Sequence, residues 1–201
     1  MLGGEPLGEV DCFGYLGSQV AADGGCDGGV VHGMSEGCGA WGALKGVLSN
    51  GGLGMGAKRC LCEGVIVPAA LCGAEAWGMR GAERGRVGVL EMRCLRGLVM
   101  VSRVGRVGSG GVRRRAGMEG ELASGADRRV LRWFGRVEGV DDYRMARRVL
   151  MAEVSGGRVR GRPRLGWVGG VRVALGSRGV TVEAARRCAK DRGAWGALVH
   201  V

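Results

Sequence analysis

The spacing of apolar and polar residues predicts a mainly helical chain with a short strand near its N-terminus. The segment "CFGYLGSQV" at 12–20 is typical of a strand or strand end, and the "AADGG" at 21–25 is typical of a turn. Further along, apolar residues recur at intervals of three or four, which places them on one face of a helix. The clearest stripe predicts one long helix and consists of Val87, Leu90, Cys94, Leu98 and Val101.

Two more helices are predicted in the first half of the chain. One has an apolar face made of Trp41, Leu44 and Leu48. The other starts near Leu61 and Val65, and Pro68 should kink or divide it because proline has no backbone N–H. The glycine-rich segment at 105–111 then predicts a loop between the two halves.

Two helices are predicted after this loop. The first carries the apolar residues Leu122, Val130, Leu131 and Phe134. The second is short, and its apolar face consists of Tyr143, Ala146, Val149 and Leu150. The arginines of this second helix should lie on its other side, and they are Arg144, Arg147 and Arg148.

The last part of the chain predicts two further helices. Pro163 suits the first turn of a helix, where the missing N–H would have no partner, and the helix continues through Trp167. The hydroxyl of Thr181 can cap the final helix. The apolar stripe of that helix consists of Val182, Ala185, Cys188, Trp195 and Val199.

The distribution of charge divides the chain into two predicted regions. Residues 1–102 hold 8 basic and 10 acidic side chains, whereas residues 103–201 hold 22 basic and 9 acidic ones. We therefore predict a neutral helical region at 1–103 and a basic helical region at 104–201 that contacts nucleic acid. Of the 30 basic residues 27 are arginine, which binds phosphate bidentately and stacks on bases.

Composition also bears on where the chain is located. The N-terminus has no cationic start followed by an apolar run, and the longest apolar stretch, at 65–74, is too short to span a bilayer. The 8 cysteines are scattered along the chain. We therefore expect an intracellular protein with reduced thiols, neither secreted nor bound to a membrane.

The sequence contains no recognisable catalytic or metal site. Polymerases hold divalent metals with two or three carboxylates, and the one adjacent acidic pair, Asp141 and Asp142, is better explained as the start of a helix. The cysteines and histidines are too loosely spaced for a zinc site. We therefore expect no enzyme activity, no cofactor, no metal and no small-molecule substrate.

The peptide "RGRP" at 160–163 matches the core of an AT-hook, which places arginines in a narrow A·T-rich minor groove. AT-hooks tend to stand alone in flexible tails, whereas here an apolar helix pattern with Trp167 follows directly. An AT-hook-like DNA-binding protein, a solvated loop and the basic start of a helix therefore stay open as alternatives.

Six sequence blocks, in a fixed order, carry a family resemblance. The first three are "VDCFGYLGS" at 10–18, "VIVPAALCGAEAW" at 65–77 and "LEMRCLRGLV" at 90–99. The others are "SRVGRVGSGGVRRRAG" at 102–117, "LRWFGRVE" at 131–138 and "GGRVRGRPRLGWVGGV" at 156–171. Together they resemble the C-terminal portion of reverse transcriptases from non-LTR (LINE-type) retrotransposons, and they are distributed over most of the chain, from residue 10 to residue 171.

This resemblance implies a helical, thumb-like scaffold followed by a basic region. It also implies that the catalytic palm lies upstream of Phe13, so that this chain is a non-catalytic fragment of an RNA-directed DNA polymerase. The implied partners are RNA or DNA, and the implied location is the nucleus. We expect the contacts to come from Trp133 and Trp167 and from the arginines Arg113, Arg114, Arg115, Arg132, Arg136, Arg147, Arg148, Arg158, Arg160, Arg162 and Arg164.

The chain departs from the family pattern at several positions. Cys72 stands where the family has Tyr, Arg136 where it has His, and Gly169 and Gly105 where it has Asp. Each change is one A-to-G step in the codon, and residues with A-rich codons are nearly missing from the chain. We hypothesise an element copy altered by A-to-G substitution or base bias. A translated remnant of a mobile element with no selected function is the alternative.

The 44 glycines predict a low melting temperature, because glycine in a helix interior costs up to about 1 kcal/mol relative to alanine. The segment at 25–42 is so rich in glycine that its helix should be marginal. Thermal unfolding followed by circular dichroism should therefore give a broad transition at low temperature. A sharp, cooperative melt at high temperature would contradict this prediction.

Overall fold

The computed structural model describes residues 8–15, 17–22, 24–118, 120–152 and 166–200, and for Arg103 it describes the backbone alone. Over these residues the chain is mainly helical, with a short two-stranded antiparallel sheet near the N-terminus, which confirms the predicted fold class. Within the same ranges, no helix combines the length and the apolar character that crossing a membrane requires.

The sheet is a hairpin, not the single strand that the sequence predicts. Strands β1 (Cys12–Tyr15) and β2 (Ser18–Ala21) pair antiparallel, with Phe13 opposite Val20. The predicted strand divides because the chain turns at Gly17, whose φ of 77° is a left-handed conformation that glycine adopts without steric cost. Phe13 and Val20 both remain exposed on the hairpin.

Helices make up most of the remaining described chain. In the first half they are α1 (Asp27–Leu48), α2 (Met55–Leu61), α3 (Val67–Ala70) and α4 (Gly81–Leu98). In the second half they are α5 (Ser109–Ala116), α6 (Leu122–Glu138), α7 (Met145–Met151), α8 (Trp167–Gly176), α9 (Val182–Cys188) and α10 (Arg192–His200). Short 3-10 turns form at Ala74–Ala76 and Arg103–Gly105.

Pro68 interrupts a helical path, as the sequence predicts, and a π-helix forms just before it. The π-helix, Cys62–Ile66, joins α2 to α3. Pro68 has no N–H to donate to the carbonyl four residues earlier. The N–H of Val67 donates instead to the carbonyl of Cys62, five residues earlier, which widens this turn of the helix.

The apolar core of the first half lies between α1, α4 and α5. It buries Trp41 and Leu48 of α1 against Leu98 of α4 and Val112 of α5. A neighbouring cluster includes Trp77 and residues from the start of α6. Helices from both sides of the predicted boundary at 103/104 therefore share these clusters, and the division of the chain into two regions stays a prediction.

The apolar core of the second half is centred on Phe134 of α6. Its ring centroid lies 5.8 Å from that of Trp195 in α10 and 6.3 Å from that of Trp167 at the start of α8. Val171 and Leu175 of α8 are fully buried against the same core. The core thus fixes α8 and α10 against α6.

Several helix boundaries differ from the sequence-based expectations. Val101 lies beyond the end of α4, because the chain turns at Met100, whose φ is 54°. Helix α5 begins at Ser109, inside the predicted loop. Helix α8 begins after an extended Gly166, not at Pro163, which lies outside the described residues.

The C-terminal apolar stripe belongs to two helices instead of one. Thr181 caps α9 as predicted, because its Oγ1 accepts a hydrogen bond from the N–H of Ala184 at 3.2 Å. Helix α10 starts separately, since Oδ1 of Asp191 accepts from the N–H groups of Gly193 and Ala194 at 2.8 and 3.1 Å. The turn between the two helices therefore has its own cap.

Three tryptophan rings pack directly against a glycine in a helix, in the space that a side chain at that position would occupy. The pairs are Trp41 with Gly97, Trp77 with Gly33, and Trp195 with Gly135. A Cβ atom at any of these glycines would come closer than 3.0 Å to the ring. Glycine is therefore needed at these positions for packing, although it weakens the helix that carries it.

Two glycines of α4 test this distinction. Gly97→Ala should destabilise the protein by about 1–3 kcal/mol, because the new methyl group collides with Trp41. Gly88→Ala should stabilise it by about 0.4–1 kcal/mol, because its Cβ would meet nothing within 4 Å. Chemical denaturation of the two variants and the parent measures both effects, and equal stability of the two variants would refute the packing role of Gly97.

Candidate nucleic-acid interface

A groove with positively charged rims lies between α6 and the turn that joins α9 to α10. Arg132 and Arg136 stand on one exposed face of α6, since residues four apart in a helix are neighbours. Opposite them lie Lys190 of the turn and Arg192, the first residue of α10, and both are also exposed. The groove has a volume of about 780 Å³, and none of the described residues that line it is acidic.

The floor of this groove is apolar. It is formed by the buried residues Gly135 of α6, Trp195 and Val199 of α10, and Ala189. The indole Nε1 of Trp195 is buried without a hydrogen-bond partner among the described residues. The charged groups therefore stand along the rims, where they remain hydrated and can reach an anion that enters the groove.

Asp191 lies between Lys190 and Arg192 and holds this turn in place. Oδ1 of Asp191 accepts two backbone N–H groups at the start of α10, at 2.8 and 3.1 Å. A carboxylate at a helix N-terminus is stabilised by the helix dipole. Asp191 thus acts as a cap and fixes the backbone from which the two cations project.

His200 lies at one end of the groove. Its Nε2 is 3.4 Å from Nη2 of Arg132. A ring nitrogen of a neutral imidazole accepts a hydrogen bond from a guanidinium, so this contact links α10 to α6.

The two candidate tryptophans have different surroundings. Trp133 is 42% exposed on α6, next in sequence to Arg132, so its ring is accessible for stacking on a base. Trp167 donates from its Nε1 to the carbonyl of Glu75 at 2.8 Å and packs on Phe134. These contacts make Trp167 a packing residue, and we leave it out of the proposed interface.

Arg113 is bound inside the protein. Its Nε and Nη2 donate to the two carboxylate oxygens of Glu91 at 3.0 and 2.8 Å, and its Nη1 lies 3.2 Å from Oε1 of Glu121. The hydrogen bond to Glu91 raises the pKa of Arg113 above its ordinary value. Arg113 therefore joins α5 to α4, and we leave it out of the interface as well.

Arg147 is also bound inside the protein, and α7 does not bury the apolar face that the sequence predicts. None of the residues of α7 is buried, and Tyr143 and Val149 of the predicted apolar face are 70% and 65% exposed. Arg147 instead donates to the buried carboxylate of Glu138, and that hydrogen bond raises its pKa. Glu138 accepts a second hydrogen bond from Arg186 at 3.1 Å. Helix α7 is therefore held by ion pairs and not by an apolar face.

The remaining predicted arginines fall into two groups. Arg114 and Arg115 of α5 and Arg148 of α7 are exposed and form no ion pair with another described residue, but they do not line the groove. The rest lie in the arginine-rich segment that contains "RGRP", outside the described residues; they are Arg158, Arg160, Arg162 and Arg164.

Sequence reasoning missed three residues of the groove, namely Lys190, Arg192 and His200. The sequence predicts one continuous helix across this turn, and such a helix would place the three residues at different positions around its axis. The sequence pattern therefore does not group them. The signal was present in "KDRG" at 190–193, because Asp is a preferred residue at a helix N-cap.

The two residues of the acidic pair at 141–142 contact neighbouring arginines. Oδ1 of Asp142 lies 3.3 Å from Nε of Arg147, and the carbonyl of Asp141 accepts from the N–H of Arg144 at 3.0 Å. Among the described residues, no three or more His, Cys, Asp or Glu side chains form a group suited to a metal ion.

Comparison of the chain with protein families, with curated proteins and with solved structures found no match in any of the three. The likeness to retrotransposon reverse transcriptases therefore rests on the six sequence blocks and stays a proposal.

The ion pairs of α7 lead to a prediction about two neighbouring arginines. Arg147→Met should destabilise the protein by about 2 kcal/mol, because it leaves the buried carboxylate of Glu138 with one partner fewer. Arg148→Met removes the same charge from an exposed position and should leave stability within about 0.5 kcal/mol of the parent. Urea denaturation of both variants measures the difference. If they unfold at the same urea concentration, the ion pair with Glu138 does not hold α7.

Proposed function

We propose that the chain binds the phosphate backbone of RNA or DNA through the groove between α6 and the α9–α10 turn, and that it catalyses no reaction. The observation that carries this proposal is the arrangement of Arg132, Arg136, Lys190 and Arg192 around one groove whose described lining contains no acidic residue. Such clustering raises the local positive potential far above that of charges scattered over a surface.

The chemistry of the groove favours a polyanion with repeated phosphates. Arginine donates two parallel hydrogen bonds to one phosphate, and a lysine adds a compact positive charge. The rims carry cations on both sides over an apolar floor, so a strand in the groove can be contacted from two helices at once. The exposed ring of Trp133 lies beside Arg132 in the sequence and is accessible for stacking on an unpaired base.

Phosphate contacts of this kind do not read sequence. The described lining residues are cations, glycines and apolar side chains, apart from His200, whereas reading a base edge requires a fitted set of donors and acceptors. We therefore propose binding that depends on charge and salt and tolerates any base sequence. The arginines at 158–164 would add further phosphate contacts.

We also propose an origin for the chain, on the strength of the six ordered sequence blocks. In this proposal it is the C-terminal, non-catalytic part of a non-LTR retrotransposon reverse transcriptase. Its role would be to hold template RNA, primer or target DNA in the nucleus, while polymerisation takes place in another part of the enzyme.

The double variant Lys190→Ala/Arg192→Ala tests the groove. Each phosphate contact contributes roughly 0.7–0.9 to the slope of log K against log salt, so losing two contacts should lower the magnitude of the slope by about 1.5. Affinity at low salt should fall by roughly tenfold or more. Fluorescence anisotropy of a labelled single-stranded oligonucleotide, repeated at several salt concentrations, measures both quantities.

The matched control is Lys45→Ala/Arg86→Ala, which removes one lysine and one arginine from exposed positions on α1 and α4. This control should bind like the parent. The proposal is wrong if the affinity of the parent barely changes between low and moderate salt. It is also wrong if the two double variants bind equally weakly.

A further inference from the structure

A second cavity, which is open to solvent on the side of Gly117, Gly120 and Glu121, lies beside the core of the first half. It has a volume of about 350 Å³ and lies between the π-helix, α4 and the connection from α5 to α6. Its interior wall is apolar and well buried. The residues of this wall that are at most 4% exposed include Cys62, Ile66, Leu90, Cys94 and Leu95.

The cavity is not filled by side chains, because glycines form part of its lining. Gly117 ends α5 in a left-handed conformation with a φ of 67°, and neither it nor Gly120 has a side chain to place in the cavity. A Cβ at Gly120 would meet nothing within 4 Å. On the opposite wall, the π-helix supplies Cys62 and Ile66 from a widened turn. Such π-helical turns occur frequently at functional sites.

The acidic groups around the cavity already have partners in the protein. Glu91 accepts two hydrogen bonds from Arg113, and Glu121 lies 3.2 Å from the same guanidinium. Glu63 is exposed and lies 3.9 Å from Arg59. Arg128, the remaining charged residue of the lining, is partly exposed to solvent. The interior therefore does not require a charged ligand for balance.

The thiols of Cys62 and Cys94 in the cavity wall carry no charge. Burial raises the pKa of Cys62 to about 11 and that of Cys94 to about 12. Both groups are therefore protonated thiols at neutral pH, which behave as small apolar side chains.

The apolar, buried part of the wall offers few hydrogen-bond partners to water. A trapped water molecule needs two to four polar partners, and here the buried carboxylate of Glu91 is already bound by Arg113. A dry cavity of roughly 150 Å³ lined by Leu, Ile and Phe is large enough for benzene. We propose that this larger cavity is a binding site for neutral, apolar molecules of one or two rings. The proposal does not depend on the nucleic-acid groove.

Ile66 makes the test direct, because it is the single isoleucine of the chain and lies in the cavity wall. Selective ¹³C-methyl labelling of isoleucine therefore yields one resonance that reports on the cavity. The full chain is titrated separately with naphthalene, naphthoate and naphthylmethylammonium, which share one ring system and differ in charge. Naphthalene should shift the resonance in a saturable way and bind at least about tenfold more tightly than either ion, because a charged group resists desolvation.

A pair of cysteine variants then locates the site. Cys94→Leu places extra carbon atoms in the cavity and should weaken naphthalene binding by about tenfold or more. Cys60→Leu makes the same change at an exposed position on α2 and should bind like the parent. Binding to these two variants is followed by isothermal titration calorimetry, and circular dichroism checks that each is folded.

Three results would overturn the proposal. The first is an Ile66 resonance in the parent that does not move with naphthalene. The second is equal binding of the neutral and charged rings. The third is a folded Cys94→Leu variant that binds naphthalene as tightly as Cys60→Leu does. If Cys94→Leu does not fold, the titration of Ile66 in the parent still decides the question.

Discussion

The contact between a tryptophan ring and a glycine in a facing helix is the constraint on which this structure depends. Three such contacts join Trp41 of α1 to α4, Trp77 to α1, and Trp195 of α10 to α6. In each, the ring lies where a Cβ would otherwise be, so the two backbones approach more closely than side chains would allow. With aromatic residues at only 4% of the chain, these rings supply much of the large apolar surface available for packing.

The glycines in the helices include two kinds, which the amino-acid composition does not distinguish. Some pack against a tryptophan ring, and others have no neighbouring atoms at the position of a Cβ. Gly42, Gly46 and Gly85 lie in helices with nothing within 4 Å of the missing side chain, which agrees with the hypothesis that ancestral surface residues were lost there. At Gly33, Gly97 and Gly135 a tryptophan ring packs against the glycine, so the same hypothesis does not account for these three positions. Packing therefore requires glycine at some helical positions of this chain and not at others.

The limits of the sequence follow from the same distinction. Apolar periodicity predicted that α1, α4 and α6 exist and which faces they bury, because a helix that buries one face has apolar residues at intervals of three or four. It failed at 190–193, where one carboxylate, Asp191, ends one helical path and caps the next. It also failed for α7, because ion pairs between Glu138 and the arginines of other segments depend on tertiary position and leave no periodic signal. The sequence therefore predicted Arg132 and Arg136 on one rim of the groove, but it did not predict Lys190 and Arg192 on the opposite rim.

Formal charge overstates how much of the second half is available to a polyanion. Arg113, Arg147 and Arg186 are bound to carboxylates within the protein, and they stabilise the arrangement of helices instead of contacting a ligand. The cations of the groove, by contrast, are held in place through backbone geometry. Gly135 lets Trp195 approach α6, and Asp191 fixes the turn beside it. The surface proposed to bind phosphate and the ion pairs that stabilise the fold therefore use different arginines. Changes in one set should therefore leave the other largely intact.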